Sequence, residues 1–238
     1  MENQKSLNSY IDLTLLRPDA TSKEIRNLAK LAVEYKTAGL CVQPNVIGVV
    51  KNILKGTEVK LVVVPNWLQG GGLLPGREYL LDFCKEADEV DYVVNVYQAY
   101  ESKEYDKVEE EIKKVKQYSK VLKVIIESSY IRMTHYDERV QLTKKIIEIA
   151  EKVGADFIKT DSGLFKRSDR RIKLNDKITL TETIFEGLVD DVKTILKYTK
   201  KQVKAAGGIK KKEQIEELIK LGVSRIGTSS VEVLDDII

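Results

Sequence analysis

Short runs of β-branched and aliphatic residues recur along this chain, and each is followed by a longer stretch whose apolar positions fall three and four apart. Eight of the short runs read as strands: Tyr10 to Leu15, Gly39 to Pro44, Lys60 to Asn66, Val90 to Val96, Leu122 to Glu127, Asp156 to Asp161, Gln202 to Ala206 and Arg225 to Thr228. Helix starts are legible between them. Thr21 with Glu24, Thr134 with Asp137 and Thr183 with Glu186 have the spacing of a capping box, a hydroxyl three residues ahead of a carboxylate. Regular alternation of strand and helix implies an α/β fold with a parallel sheet, and eight such units imply a closed (β/α)8 barrel, a single domain over residues 1–238. The alternative is an open, doubly wound sheet. It would want a glycine-rich phosphate turn after the first strand, where this chain has Leu16-Arg17-Pro18-Asp19.

Composition narrows the class of function. Lys and Arg number 40 against 37 Asp and Glu, a formal net charge of +3, so nothing favours nucleic acid as a partner. The charges interleave: Glu109-Glu110-Glu111 is followed by Lys113, Lys114 and Lys116, which reads as a solvated helix face with i,i+4 pairs. Richness in Lys and Glu, with one His and two Met, hints at a thermophile. Cys41 and Cys84 are too few for a disulfide framework and have no zinc spacing, so both are expected as free thiols in a reducing compartment. Residues 1–6 carry no apolar run, and no window approaches the length of a membrane span, so a soluble, cytoplasmic protein with no membrane partner is expected.

In a barrel the chemistry belongs at the C-terminal ends of the strands. Two lysines stand there in matching surroundings, Lys159 in Phe157-Ile158-Lys159-Thr160 and Lys204 in Val203-Lys204-Ala205-Ala206. Lysine is almost never buried without a charge or a reaction to justify it. Burial and a neighbouring ammonium both disfavour the charged form, so one of the two could be an uncharged nucleophile. Asp12 and Asp91 are either turn carboxylates or inward groups that neutralise the amines and relay protons. Cys41 reads as a small core residue. His135 has no second His or acid cluster beside it, so it reads as a surface residue and a metal site is not expected. Gly70-Gly71-Gly72 suits a flexible turn better than an anion cradle. Gly207-Gly208 and Gly227-Thr228-Ser229-Ser230 close the last two strands, where barrels build phosphate sites from backbone N–H groups.

The strings Ile11-Asp12-Leu13-Thr14-Leu15, Leu40-Cys41-Val42-Gln43-Pro44, Glu89-Val90-Asp91, Leu122-Lys123-Val124-Ile125-Ile126-Glu127, Phe157-Ile158-Lys159-Thr160, Lys204-Ala205-Ala206-Gly207-Gly208 and Ile226-Gly227-Thr228-Ser229-Ser230 follow one another in order. In these the chain resembles the deoxyribose-phosphate aldolase family. The resemblance implies a class I aldolase that cleaves 2-deoxy-D-ribose 5-phosphate reversibly to acetaldehyde and D-glyceraldehyde 3-phosphate through a Schiff base, with no cofactor and no metal. It implies Lys159 as the Schiff-base lysine, Lys204 as the amine that perturbs it, Asp91 as the acid/base working with water, and Asp12 as the group holding Lys204. Gly163, Gly207, Gly208, Gly227, Ser229 and Ser230 would hold the 5-phosphate, and the molecule would be a homo-oligomer, a dimer or tetramer.

Three places depart from the family pattern. Asp161-Ser162-Gly163 stands where Ser-Thr-Gly is usual, and strand alternation puts Asp161 on the face of Lys159, where a carboxylate would favour the charged amine. A basic stretch, residues 164–173, replaces a small glycine-rich loop; its Lys166 and Arg167 either clamp phosphate or cover surface. Trp67-Leu68 follows the third strand, with Leu68 where proline is usual, and Trp67 reshapes the pocket. Another Schiff-base lyase or synthase acting on a different sugar phosphate, and a non-catalytic phosphosugar-binding barrel silenced by Asp161, are the rival readings.

Overall fold

A computed structural model describes residues 6–67, 71–73, 76, 78–165, 170–175 and 178–237. Within these, β1 (Ile11–Leu15), β2 (Gly39–Val42), β3 (Lys60–Val63), β4 (Glu89–Val93), β5 (Val121–Ile125), β6 (Phe157–Lys159), β9 (Gln202–Ala206) and β10 (Arg225–Thr228) pair in parallel and close in the order β1-β10-β9-β6-β5-β4-β3-β2. Helices α1 (Ser22–Glu34), α2 (Ile47–Leu54), α3 (Leu80–Glu86), α4 (Tyr105–Lys116), α6 (Arg139–Val153), α7 (Ile184–Tyr198) and α8 (Lys212–Lys220) separate the strands. The fold is a (β/α)8 barrel. The main core lies between strands and helices, where Ile11, Leu40, Leu61, Val90, Leu122, Ile158, Val203 and Ile226 meet the apolar stripes of α1, α4, α6 and α7.

The capping boxes at Thr21 and Thr183 form as expected. Each threonine accepts from the amide three residues on, and Glu24 or Glu186 reaches back to the threonine N–H. The one expected at Thr134 does not form, because Thr134 ends α5 (Ser128–Thr134) and its hydroxyl donates to Tyr130 O at 2.7 Å. That short helix begins directly after β5, at the barrel mouth.

Most strands are shorter than the apolar runs that announce them, because the chain turns toward the mouth while still buried. Asn66 shows how the pairing is handed over: its Oδ1 accepts from Val93 N at 3.1 Å and its Nδ2 donates to Val93 O at 2.7 Å. The side-chain amide thus continues the ladder that β3 leaves. The described part of the glycine run is no open turn. Gly71 is buried with φ +98°, and a Cβ there would lie 2.2 Å from Val94 O, so the backbone packs directly on the segment after β4. Gly70 and Leu68 lie outside the described residues.

Apart from Lys107, which meets the N-cap residue Glu104 at 2.9 Å, the charges of α4 pair with other elements. Lys114 meets Glu78 at 3.6 Å, Lys116 meets Asp156 at 2.7 Å, and Glu109 meets Lys152 of α6 at 2.7 Å. The connection from β6 to α7 contains an antiparallel hairpin, β7 (Arg170–Asn175) with β8 (Ile178–Glu182), where a loop was expected. Lys166 and Arg167 lie outside the described residues.

Candidate active site

Parallel register brings the charged residues of neighbouring strands to one level. Lys159 is the partner of Lys204, Lys204 of Arg225, and Asp91 of Lys123, and all but Arg225 are buried. Two glycines make the room. A Cβ on Gly39 would lie 2.6 Å from Asp12 Oδ1, and one on Gly227 would lie 3.2 Å from Lys204 Cε. Larger residues there would displace the groups on which the network depends.

Asp91 is the hub. Its Oδ2 accepts from Lys159 Nζ at 2.7 Å and from Lys204 Nζ at 2.8 Å, and its Oδ1 accepts from Lys123 Nζ at 3.0 Å. Asp12 completes the shell of Lys204, with Oδ2 at 2.5 Å, and its Oδ1 accepts from Arg225 Nη1 at 2.6 Å. Beneath them Glu89 binds Lys123 and both terminal nitrogens of Arg225, at 3.2 and 3.1 Å for the latter. The sequence reading placed Lys159, Lys204, Asp91 and Asp12 together, and the structure does so.

Lys123, Glu89 and Arg225 were missed. Lys123 carried the same signal as the other two amines, a lysine inside an apolar strand run. Glu89 and Arg225 begin their strands, where polar residues are unremarkable.

Electrostatics divide the two amines. Burial alone would push the Asp91 carboxyl up, but the charges of Lys123, Lys159 and Lys204 overcome it and hold Asp91 well below the usual carboxylate range. Asp12 behaves alike: burial opposes ionisation, and Lys204, then Lys123 and Arg225, enforce it. Burial works against the Lys204 ammonium, yet Asp12 and Asp91 raise its pKa far above that of a free lysine. Lys204 is therefore locked as a cation.

Within this network the four cations Lys123, Lys159, Lys204 and Arg225 face the three carboxylates Asp12, Glu89 and Asp91. Of the three amines, Lys159 is the one that borders the cavity at the mouth. A cavity of about 240 Å³ at the mouth is lined by Lys159, Ser162, Gly163, Gly207, Gly208 and Ser229, with Thr14, Lys210 and Gly227 also reaching it. Lys204 lies below, fully buried, and does not line it. Leu16, Cys41, Val62, Val64, Val93 and Ile125 form a second buried apolar cluster, against which Trp67 packs. Cys41 is thus a core residue, and burial pushes its thiol pKa up. A larger depression of about 670 Å³, lined by Lys51, Lys60, Lys85 and Asp88 among others, contains no member of the charge network.

Five of the six residues expected around phosphate line the cavity. Ser230 does not: its N–H donates to Thr228 Oγ1 at 3.0 Å and its hydroxyl donates to Glu232 at 2.6 Å. Asp161 is engaged by the first turn of α5. Its Oδ1 accepts from Ser129 N at 2.8 Å and its Oδ2 from Ser128 Oγ at 3.4 Å, while the Lys159 ammonium has Asp91 as its ion-pair partner. His135 bonds Glu101 at 2.8 Å, away from the cavity.

The family model for DeoC/LacD aldolases matches residues 7–231. The chain belongs to that family. Aldolases are carbon–carbon lyases, and curated relatives place this one among them. It is 35% identical over 234 residues to the deoxyribose-phosphate aldolase of Treponema denticola, covering 94% of this chain and 95% of that one. It is equally 35% identical to the enzyme of Clostridium tetani, covering 97% and 96%. Among solved structures, an aldolase described as QR15 superposes with a TM-score of 0.77 at 28% identity, covering 99% of this chain and 96% of that one. The tetrameric deoxyribose phosphate aldolase of Aeropyrum pernix superposes with a TM-score of 0.73 at 26% identity, covering 97% and 90%. Among the described residues of this DeoC/LacD member, no helix is long and apolar enough to cross a membrane.

Proposed function

We propose that this aldolase cleaves and forms 2-deoxy-D-ribose 5-phosphate through a Schiff base on Lys159. The observation that carries the reading is the unequal placing of two amines on one carboxylate oxygen. Lys159 opens into the cavity, and Lys204 is held beneath it as a cation. A nucleophile must lose its proton and reach the carbonyl, and only the former amine can reach.

Neutral Lys159 adds to C1 of the open-chain sugar, and loss of water gives the imine. The protonated imine draws the electron pair of the C2–C3 bond as the C3 hydroxyl gives up its proton. Glyceraldehyde 3-phosphate leaves, and the enamine that remains takes a proton at C2 before hydrolysis frees acetaldehyde and the amine. Asp91, ionised and 2.7 Å from Lys159 Nζ, stabilises the iminium and passes protons by way of water. Lys204 sets a second positive charge on the same Asp91 oxygen that Lys159 uses, which opposes charge on the nucleophile, and Asp12 keeps Lys204 charged. Gly163, Gly207, Gly208, Gly227 and Ser229 present backbone groups around the phosphate end.

The names of the curated relatives and the order of the matched motifs support this substrate. Exposed Tyr79, Tyr97 and Met133, together with the tetramer of the Aeropyrum pernix enzyme, support a homo-oligomer of this chain.

Borohydride trapping tests the mechanism. Incubation with deoxyribose 5-phosphate or acetaldehyde should yield a stable secondary amine on Lys159 alone, read by mass spectrometry of the digest. Label on Lys204 would exchange the roles, and no substrate-dependent label on folded, sugar-phosphate-binding protein would refute the Schiff base and leave a binding barrel.

A further inference from the structure

The loop that leaves β6 is fastened at three atoms of one residue. Ser162 N donates to Glu127 Oε1 at 3.2 Å, Trp67 Nε1 donates to Ser162 O at 3.1 Å, and Leu164 N donates to Ser162 Oγ at 3.0 Å. Ser162 and Gly163 form one wall of the cavity over Lys159. Glu127 follows β5 and Trp67 follows β3, so two other strands clamp the wall from either side of a single residue.

Glu127 is unusual on two further counts. It is fully buried, and its Oε2 has no hydrogen-bond partner among the described residues. Its backbone is left-handed, with φ +49°, a conformation that is strained for a non-glycine residue and persists where surrounding structure demands it. Nothing in the Lys159 chemistry uses this carboxyl.

We infer that Glu127 and Trp67 are positioning residues that give the enzyme its preference for a phosphorylated substrate, by holding the Ser162–Gly163 backbone in the shape that accepts the anion. The inference rests on the function proposed above. Glu127 does this work as a neutral acid, since its carbonyl oxygen suffices to accept the Ser162 N–H. Burial, reinforced by Asp161, pushes its pKa up to about 8. The titratable groups around it are Asp161 and Lys159, from β6 and its loop, and Tyr100, whose hydroxyl donates to Ile126 O. Ionisation of Glu127 would set a second negative charge beside Asp161, just behind the wall that receives the phosphate. The clamp therefore weakens for anions as pH rises through about 8.

Steady-state kinetics from pH 7 to 9.5 with deoxyribose 5-phosphate and with unphosphorylated deoxyribose test this. Sugar phosphates have a second pKa of about 6, so the substrate's charge is constant over that range. In the wild-type enzyme KM for the phosphorylated sugar should rise about tenfold with a midpoint near 8, while kcat changes far less. Glu127→Gln, which keeps the acceptor and cannot ionise, should hold the low KM throughout. Trp67→Phe should raise that KM severalfold at every pH and leave the midpoint where it was. In both variants kcat/KM for unphosphorylated deoxyribose should change far less than kcat/KM for the phosphorylated sugar.

A Glu127→Gln profile that tracks the wild type, or equal losses for both sugars, would overturn the inference. Should Glu127→Gln not fold, an unchanged KM for the phosphorylated sugar in Trp67→Phe would overturn it. If the wild-type protein turned over neither sugar, the proposed function would fail on its own. The clamp would then be read from calorimetry with inorganic phosphate: a loss of affinity through pH 8 that Glu127→Gln abolishes supports it, and identical titrations of the two proteins overturn it.

Discussion

Two amines reach the same oxygen of Asp91, and what separates them is the rest of their surroundings: Lys204 has Asp12 as well, while Lys159 has the cavity. Replacing Lys204 by Leu removes a charge next to the nucleophile without touching the cavity wall. Turnover should fall by about a hundredfold or more with KM nearly constant, and the acid limb of the pH–rate profile should move, since one of the three ammonium groups on Asp91 is gone. An unmoved limb would remove the tuning role. Ser229→Asp should raise KM for the phosphorylated sugar about tenfold through like-charge repulsion and spare unphosphorylated deoxyribose. Ser230→Asp should do much less, because Ser230 is turned to Thr228 and Glu232.

At this scale the sequence revealed groups that stand out against their surroundings. A lysine or aspartate in an apolar strand end is conspicuous; Glu89 and Arg225, at strand starts, become part of the site only when the barrel closes and stacks them under Lys123. The expected effect of Asp161 on Lys159 assumed that strand alternation continues past β6. The strand ends at Lys159, and α5 takes up the carboxylate.

Element by element, the barrel was readable because its hydrophobic period switches cleanly between strand and helix. The β7–β8 hairpin was not. Arg170 to Glu182 alternates as a strand should, but its charged positions mask the apolar ones. The α5 helix hid for another reason, being only the 7 residues Ser128–Thr134, too short to show a period. The cap on α7 couples an element to the site, since that helix starts where Ile184 Cγ2 would lie 3.0 Å from a Cβ on Gly208 in the cavity lining. Thr183→Ala should cost about 1 kcal/mol in chemical denaturation. It should also raise KM for the phosphorylated sugar, whereas Thr21→Ala, an equivalent cap remote from the cavity, should cost similar stability with KM unchanged.

For the whole molecule, the buried charges set a pH window for stability. Asp12 and Asp91 have depressed folded-state pKa values, so the stability they add is present above the ordinary aspartate range and lost as pH falls through their folded values. Glu127 acts in the opposite sense. Its pKa is raised from 4.5 to about 8, so its share is present below 4.5 and lost as pH climbs between those values. Thermal melting from pH 5 to 8.5 should show a declining Tm in the wild-type protein and a shallower decline in Glu127→Gln. Parallel curves would place the titration elsewhere.

The charge stack along the barrel axis also constrains how this chain can change over generations. Asp12, Glu89, Lys123, Lys204 and Arg225 come from five strands, and each has two or more oppositely charged neighbours in the stack. Removing any one strands a buried charge, a loss on the order of 3–5 kcal/mol, whereas removing a matched pair in favour of apolar residues can be nearly neutral. These positions thus form a single heritable unit, in which substitutions survive as compensated sets such as Glu89 with Lys123 and drift at one position waits on drift at another. A combinatorial library over the five sites should recover folded variants in which anion and cation losses are strongly correlated.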